Sequence, residues 1–310
     1  MREKTTEIVD EIKKVICGKD EVIRLILQSI LAGGHVLMED VPGVGKTTMA
    51  LSFAKTMGLD YGRVQFTPDV LPSDITGFSL LDPETRTMKY QKGAVFHNLF
   101  LADELNRASS RTQSALLEAM EEGQVTVDDK TYPLPKPFIV IATQNPSGAS
   151  GTTLLPDSQM DRFAIRVSMG YPSLDNEIEM LTNRQNGANP LSELKPICSI
   201  EDILQMQEET SKMYVKYRVM KYIVALMDRS RNHKMLARGG SPRCTLALTA
   251  MAKAHAYMTD RDYVIPDDVQ AVFPAVLCHR MLLTPEAEFK EVKTEDIAKE
   301  IIKTTLIPKE

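Results

Sequence analysis

The stretch EDVPGVGKTT, Glu39 to Thr48, decides how the rest of the chain is read. Its end, Gly45-Lys46-Thr47, has the form of a phosphate-binding loop, whose usual pattern is G-x-x-x-x-G-K-[ST]. Counting back, the first glycine falls at residue 40, and that residue is Asp. A carboxylate aimed at a phosphate chain in a low-dielectric pocket would be strongly repelled. Asp40 is therefore expected to point away from the phosphates and to bond backbone N–H groups of the turn. The other parts of the pattern are intact. Gly43 and Gly45 let the backbone approach an anion with no Cβ in the way. Apolar His35 to Met38 before the loop and a helical pattern after it supply the strand-loop-helix setting in which N–H groups converge on phosphate. There Lys46 reaches the β- and γ-phosphates and the Thr47 hydroxyl ligates Mg²⁺. Pro42, Val44 and Thr48 complete the segment that would wrap the ligand.

Outward from this loop, the first half of the chain alternates short apolar runs with helical patterns, which reads as α/β with a parallel sheet. Strands are expected at His35–Met38, Arg63–Phe66, Leu99–Ala102, Phe138–Ala142 and Ala164–Met169. Such unbroken apolar runs suit strands covered on both faces. Helices are expected over Lys46–Met57 and Ser110–Glu122, each followed by a glycine stop. From about residue 173 strand signals vanish. Helical patterns follow at Asp175–Asn186, Ser199–Met213, Arg218–Arg231, Thr245–Thr259 and Pro266–His279. The polar stretch 183–196, with one glycine and two prolines, marks a boundary. The expected organisation is an α/β core over residues 1–190 and an all-helical domain over 191–310.

Two further strand ends carry chemistry. Leu99-Phe-Leu-Ala-Asp103-Glu104 is an apolar strand ending in two acids, at the end where α/β folds bind ligands. Asp103 is suited to the Mg²⁺ shell, and Glu104 to orienting and deprotonating an attacking water. Phe138-Ile-Val-Ile-Ala-Thr-Gln-Asn145-Pro146 is a second such strand. Asn145 could bond a γ-phosphate or a water, although an Asn-Pro turn explains the same residues.

The bulk properties set bounds. The chain has 310 residues, is 43% hydrophobic and 25% charged, and carries a formal net charge of -5. That balance argues against a surface built throughout for nucleic acid. The N-terminus lacks an apolar signal core, and Val22–Ala32 is too short and too interrupted to span a bilayer, so a cytoplasmic protein is expected. The 4 cysteines, Cys17, Cys198, Cys244 and Cys278, have no metal-ligand spacing and read as buried thiols.

Loop, acid pair and strand-end Asn, in this order, resemble an AAA+ ATPase. More specifically, ICGKDEVIRLILQSILAGGHVLMEDVPGVGKTT, QFTPDVLPSDITG, GAVFHNLFLADELNRASSRTQSALLEAMEEGQVTVD, ATQNP, LLPDSQMDRF and GGSPR together resemble the MoxR type, across nearly the whole chain. The resemblance implies a P-loop αβα core with a five-stranded parallel sheet, an all-α lid, ATP and Mg²⁺ as ligands, and a ring, commonly a hexamer. EDVPG is common in that family, so Asp40 departs only from the general pattern. Residue by residue, the resemblance makes Lys46 and Thr47 the Walker A residues, Asp103 and Glu104 the Walker B pair, and Asn145 the first sensor. Arg162 matches the arginine finger that reaches a neighbour's γ-phosphate, with Arg166 as an alternative. Arg243 matches the second sensor, contacting the γ-phosphate of its own subunit. Cys17-Gly18 matches the segment that packs on adenine.

Residues 67–92 match an insertion within helix two, and 124–137 read as a hairpin; in related rings such elements touch substrate. The four charges of 124–137 sum to zero, which favours a protein client over a phosphate backbone. The implied function is remodelling of protein complexes with a von Willebrand factor A domain partner, without membrane or nucleic acid. The alternatives are a nucleic-acid motor or loader and a slow nucleotide-responsive scaffold.

Overall fold

A computed structural model describes residues 1–145, 155–187 and 189–307. Pro146, Leu154 and Ala188, which belong to stretches singled out above, lie outside the described residues. Helices α1 (Arg2–Lys13) and α2 (Asp20–Leu31) precede the sheet. α2 starts with Asp20 and Glu21, which suit the positive end of the helix dipole, and buries Ile23, Ile26, Leu27 and Ile30 along one stripe. Strand β1 (Val36–Glu39) runs through the phosphate-type loop into α3 (Lys46–Thr56), and β2 (Tyr61–Gln65) follows.

The insertion is a short helix α4 (Pro72–Thr76) and a hairpin, β3 (Gly77–Leu81) with β4 (Met88–Lys92). β5 (Leu99–Asp103) leads to α5 (Ser110–Glu122). Ser109 caps α5 by accepting the Thr112 N–H, and Gly123 ends it at φ +63°, in the left-handed region where a Cβ is disfavoured. The expected second hairpin forms from β6 (Gln124–Val127) and β7 (Lys130–Pro133). β8 (Ile139–Gln144), the short α6 (Asp157–Met160) and β9 (Ile165–Val167) complete the core.

The sheet has five parallel strands in the order β2-β5-β8-β1-β9. β5 and β8 are buried along their whole length, which explains their unbroken apolar runs. Register aligns Glu39 with Gln144 and Gln65 with Asp103. The carboxyl ends of β1, β5 and β8 therefore lie side by side, the place where such folds bind ligands.

The chain continues through α7 (Leu174–Thr182), α8 (Pro190–Glu193), α9 (Ile200–Ser211), β10 (Tyr214–Val215), α10 (Tyr217–Arg231), β11 (Leu236–Arg238), α11 (Pro242–Met258), β12 (Tyr263–Val264), α12 (Pro266–Leu277), β13 (Leu282–Leu283), α13 (Pro285–Phe289) and α14 (Thr294–Thr304). The five expected helices are present, but the region is not free of strand. β10 pairs in parallel with β12, and β11 antiparallel with β13. Ladders of two or three residues carry no period-2 signal, so sequence pattern misses them. α1, α2 and α3 with one face of the sheet share a continuous apolar cluster with α9, α10, α11, α12 and α14. Leu37, Phe100, Val140 and Leu116 belong to a second cluster on the sheet's other face. No helix among the described residues is long and apolar enough to cross a membrane.

Candidate functional site

The loop resolves the question raised by Asp40. Its carboxylate is buried and turned toward the end of β9, where Oδ2 accepts the Met169 N–H at 2.5 Å and Oδ1 accepts the Gly170 N–H at 3.0 Å and the Ser168 hydroxyl at 2.8 Å. It points away from the loop interior, as charge repulsion requires. Its partners, however, are N–H groups of the neighbouring strand's end and not of its own turn. A local reading could not supply them, because they lie about 130 residues downstream.

Gly43 and Gly45 adopt φ of +87° and +98°. A Cβ built on Gly43 would meet nothing within 4 Å, and no side chain caps the first turn of α3. The N–H groups of that turn thus border an open cradle, which fits an anion such as a nucleotide's phosphates. Lys46 Nζ donates to the Asp40 carbonyl at 2.6 Å and to Asn145 Oδ1 at 2.9 Å. Burial pushes the Lys46 ammonium below its ordinary value, against the pull of the Asp40, Asp103, Glu104 and Glu39 carboxylates.

Asn145 bridges two of the expected residues. Its Oδ1 takes the Lys46 ammonium while its Nδ2 donates to Glu104 Oε1 at 3.3 Å. Glu104 itself sits at φ +57°, left-handed backbone that costs a non-glycine residue about 1 kcal/mol. Its N–H is held by the Thr143 hydroxyl oxygen at 2.8 Å, and its Oε2 by Arg107 at 2.7 Å. The Thr143 hydroxyl donates in turn to Asp103 Oδ1 at 2.6 Å, and Arg63 Nη2 reaches Asp103 Oδ2 at 2.7 Å. Thr143, Arg63 and Arg107 were not singled out from the sequence. Thr143 had a signal, since it precedes Asn145 at a polar strand end. Arg63 had none, because only strand pairing sets it opposite Asp103.

Cys17 and Thr48 line a common cavity of about 70 Å³ with Met180 and Asn183 of the α7 segment. Cys17-Gly18 therefore lies beside the phosphate loop. Drug-sized ligands occupy pockets of about 300 Å³ or more, so a purine here needs the α7–α8 segment to shift outward. Gly18, at φ +67°, lies against the Asn176 amide: a Cβ would fall 1.8 Å from Asn176 Nδ2, and that side chain would have to turn away.

The arginines lie elsewhere. Arg162 Nη2 is 3.3 Å from Glu121 Oε2, and Arg243 pairs with Oε1 of the same Glu121. Both border a cavity with Gly34, His35 and Met120, at the amino end of β1. The phosphate loop leaves the opposite end, about 13 Å of strand away. The structure thus brings Arg243 to Arg162 and not to Lys46, and a contact from Arg243 to its own subunit's γ-phosphate does not fit this geometry. The reason is the route of the lid: Ser241 donates to Asp161 and the buried Arg280 ties down Asp161 and Phe163, which docks the start of α11 beneath the sheet. Arg166 is engaged by Glu39 at 3.2 Å and Glu295 at 3.6 Å, in links between the sheet and α14.

Residues 35–165 match the family model of the ATPase family associated with various cellular activities (AAA), and residues 228–301 match an AAA lid domain. Similar proteins include YeaC of Bacillus subtilis, 46% identical with 97% of this chain and 93% of that protein covered. The chaperone MoxR1 of Mycobacterium tuberculosis is 38% identical, with 96% and 81% covered. A solved structure of a protein from Cytophaga hutchinsonii superposes with a TM-score of 0.91 at 39% identity, covering 99% of this chain and 96% of the other. The chain belongs to the MoxR family of AAA+ ATPases.

Proposed function

We propose that the protein is an Mg²⁺-dependent, ring-forming ATPase that remodels protein complexes, working with a partner of the von Willebrand factor A type. The observation that carries the catalytic reading is the chain Lys46–Asn145–Glu104, set beside Asp103–Thr143 at the carboxyl ends of three adjacent strands. The cradle at Gly43 and Gly45 holds the phosphates, Lys46 neutralises their charge, and Thr47 and Asp103 hold the metal. Mg²⁺, when bound, withdraws charge from the phosphates. Glu104 orients and deprotonates the water, and Asn145 fixes Glu104 relative to Lys46. Cys17 and Gly18 flank the base.

Arg162 and Arg243, clustered on Glu121 at the far end of the sheet, are best suited to act together on the nucleotide of a neighbouring copy. A trans arginine of this kind is worth about 10³–10⁵ in rate. Exposed Phe78, Leu80, Leu81 and Met88 on the β3–β4 hairpin suit contact with a protein client. The test is Glu104→Gln: ATP binding kept, hydrolysis lost, and clients retained on the ATP-bound protein in a pull-down. Undiminished hydrolysis would refute the assignment.

A further inference from the structure

α7 is an amphipathic helix whose apolar side faces solvent. Asn176 and Asn183 turn toward Gly18 and Cys17. On the opposite side Leu174, Ile178 and Leu181, at i, i+4 and i+7, are 80%, 62% and 69% exposed. Three such side chains in line on one helix are not the scattered single hydrophobes of an ordinary surface. The helix also carries Asp175, Glu177 and Glu179 and no cation.

A complementary feature lies on the face that bears Arg162 and Arg243. Leu31, Ala32, Leu246, Thr249, Ala250 and Lys253 line a mainly apolar groove of about 450 Å³. Leu246 is 72% exposed at its rim. α11 forms one wall and contributes Lys253, and Gln207, Thr210 and Ser211 of α9 form the other. The groove is continuous with the arginine cavity, sharing Ala32, Gly33, Leu246 and Ala250 with it.

We propose that the occupant of this groove is α7 of a second copy of the chain, packed head to tail. The inference rests on the trans reading of Arg162 and Arg243 given above. α7 is fixed beside the phosphate loop through Cys17, Gly18 and Thr48. The groove is fixed beside the arginines. A copy that brings its arginines to the loop therefore brings its groove to α7, an acidic, apolar helix meeting a mainly apolar trough whose lining carries one cation, Lys253, and no carboxylate. Because the two surfaces differ, the contact is heterologous and builds chains or rings, not closed pairs.

Disulfide trapping tests this in the full-length protein with Mg²⁺ and a non-hydrolysable ATP analogue. The four native cysteines are buried and leave a quiet background. Ile178→Cys with Leu246→Cys in one chain should give a ladder beyond dimer. Mixing the two single variants should give one cross-linked pair, and each alone none. Leu246→Glu, at a solvent-exposed site, should leave the melting temperature unchanged and raise the concentration needed for assembly by about tenfold or more. A dimer from Ile178→Cys alone would show α7 pairing with itself and overturn the proposal. So would the absence of any ladder in protein that sediments as an oligomer. In that case loss of turnover in Arg162→Ala would show that the trans reading survives without this contact. A chain that stays monomeric with the analogue at every concentration overturns both.

Discussion

Replacing Arg63 with Ala should tighten Mg²⁺ binding at Asp103. Asp103 Oδ1 is taken by the Thr143 hydroxyl at 2.6 Å, while Oδ2 accepts Arg63 Nη2 at 2.7 Å and Nε at 3.3 Å. The guanidinium therefore occupies the carboxylate oxygen left for a metal's shell, and an entering cation must displace it. The Arg63 side chain is 41% exposed, so the pair has the strength of a half-exposed ion pair, about 1 kcal/mol, and not that of a buried one. Losing that competitor corresponds to roughly a fivefold lower Mg²⁺ midpoint. The assay varies free Mg²⁺ at a fixed, saturating concentration of a fluorescent ATP analogue and compares the midpoints of wild type and Arg63→Ala. Thr143→Val supplies the contrast. It removes the hydroxyl that holds both Asp103 and the Glu104 N–H, so its midpoint should rise. An unchanged or higher midpoint in Arg63→Ala would show that Arg63 orients Asp103 for the metal and does not compete with it.

Stability should fall on acidification between about pH 6.5 and pH 4. His35 is buried with Nε2 donating to the Met120 carbonyl and Nδ1 accepting the Val140 N–H, and burial pushes its pKa down to about 4. In that window the unfolded histidine takes a proton that the folded one refuses, which costs about 3 kcal/mol; buried His279 is shifted in the same direction. Urea unfolding across those pH values checks this, and a flat profile contradicts it. Asp268→Asn should destabilise by about 2–3 kcal/mol in thermal or urea unfolding. Burial opposes ionisation of that carboxyl, but bonds from Arg261, His255 and the Ile265 N–H outweigh it and hold the pKa below the usual carboxylate range. Gly18→Ala should weaken nucleotide binding measured by titration, because it strains the φ of +67° beside the loop and displaces the Asn176 side chain. Tyr90 and Tyr132 stack at 3.9 Å between centroids and 13° between planes, joining the two hairpins. Tyr132→Ala should speed hydrogen exchange in β3 and β4 at unchanged global melting temperature, a loss of about 0.5–1.5 kcal/mol confined to the hairpins.

The sequence by itself determined the elements whose signals are local. The five core strands were legible because burial on both faces leaves unbroken apolar runs, and α5 because Gly123 ends a helical stripe. Lys46, Asp103 and Glu104 were legible because each stands at a strand or helix end, where parallel topology already dictates the neighbourhood. Even the orientation of Asp40 followed from its charge. What it bonds did not, since Met169 and Gly170 reach it only through the pairing of β9 with β1. Only the tertiary structure decided which ends of the sheet the remaining polar groups occupy. Arg63 meets Asp103 across a strand pair, Asn145 joins Lys46 to Glu104 through facing strand ends, and Arg162 meets Arg243 because Arg280 and Ser241 anchor the lid beneath the sheet. Such contacts are set by register and docking. They join residues tens to more than a hundred positions apart, over which spacing along the chain carries no geometric information.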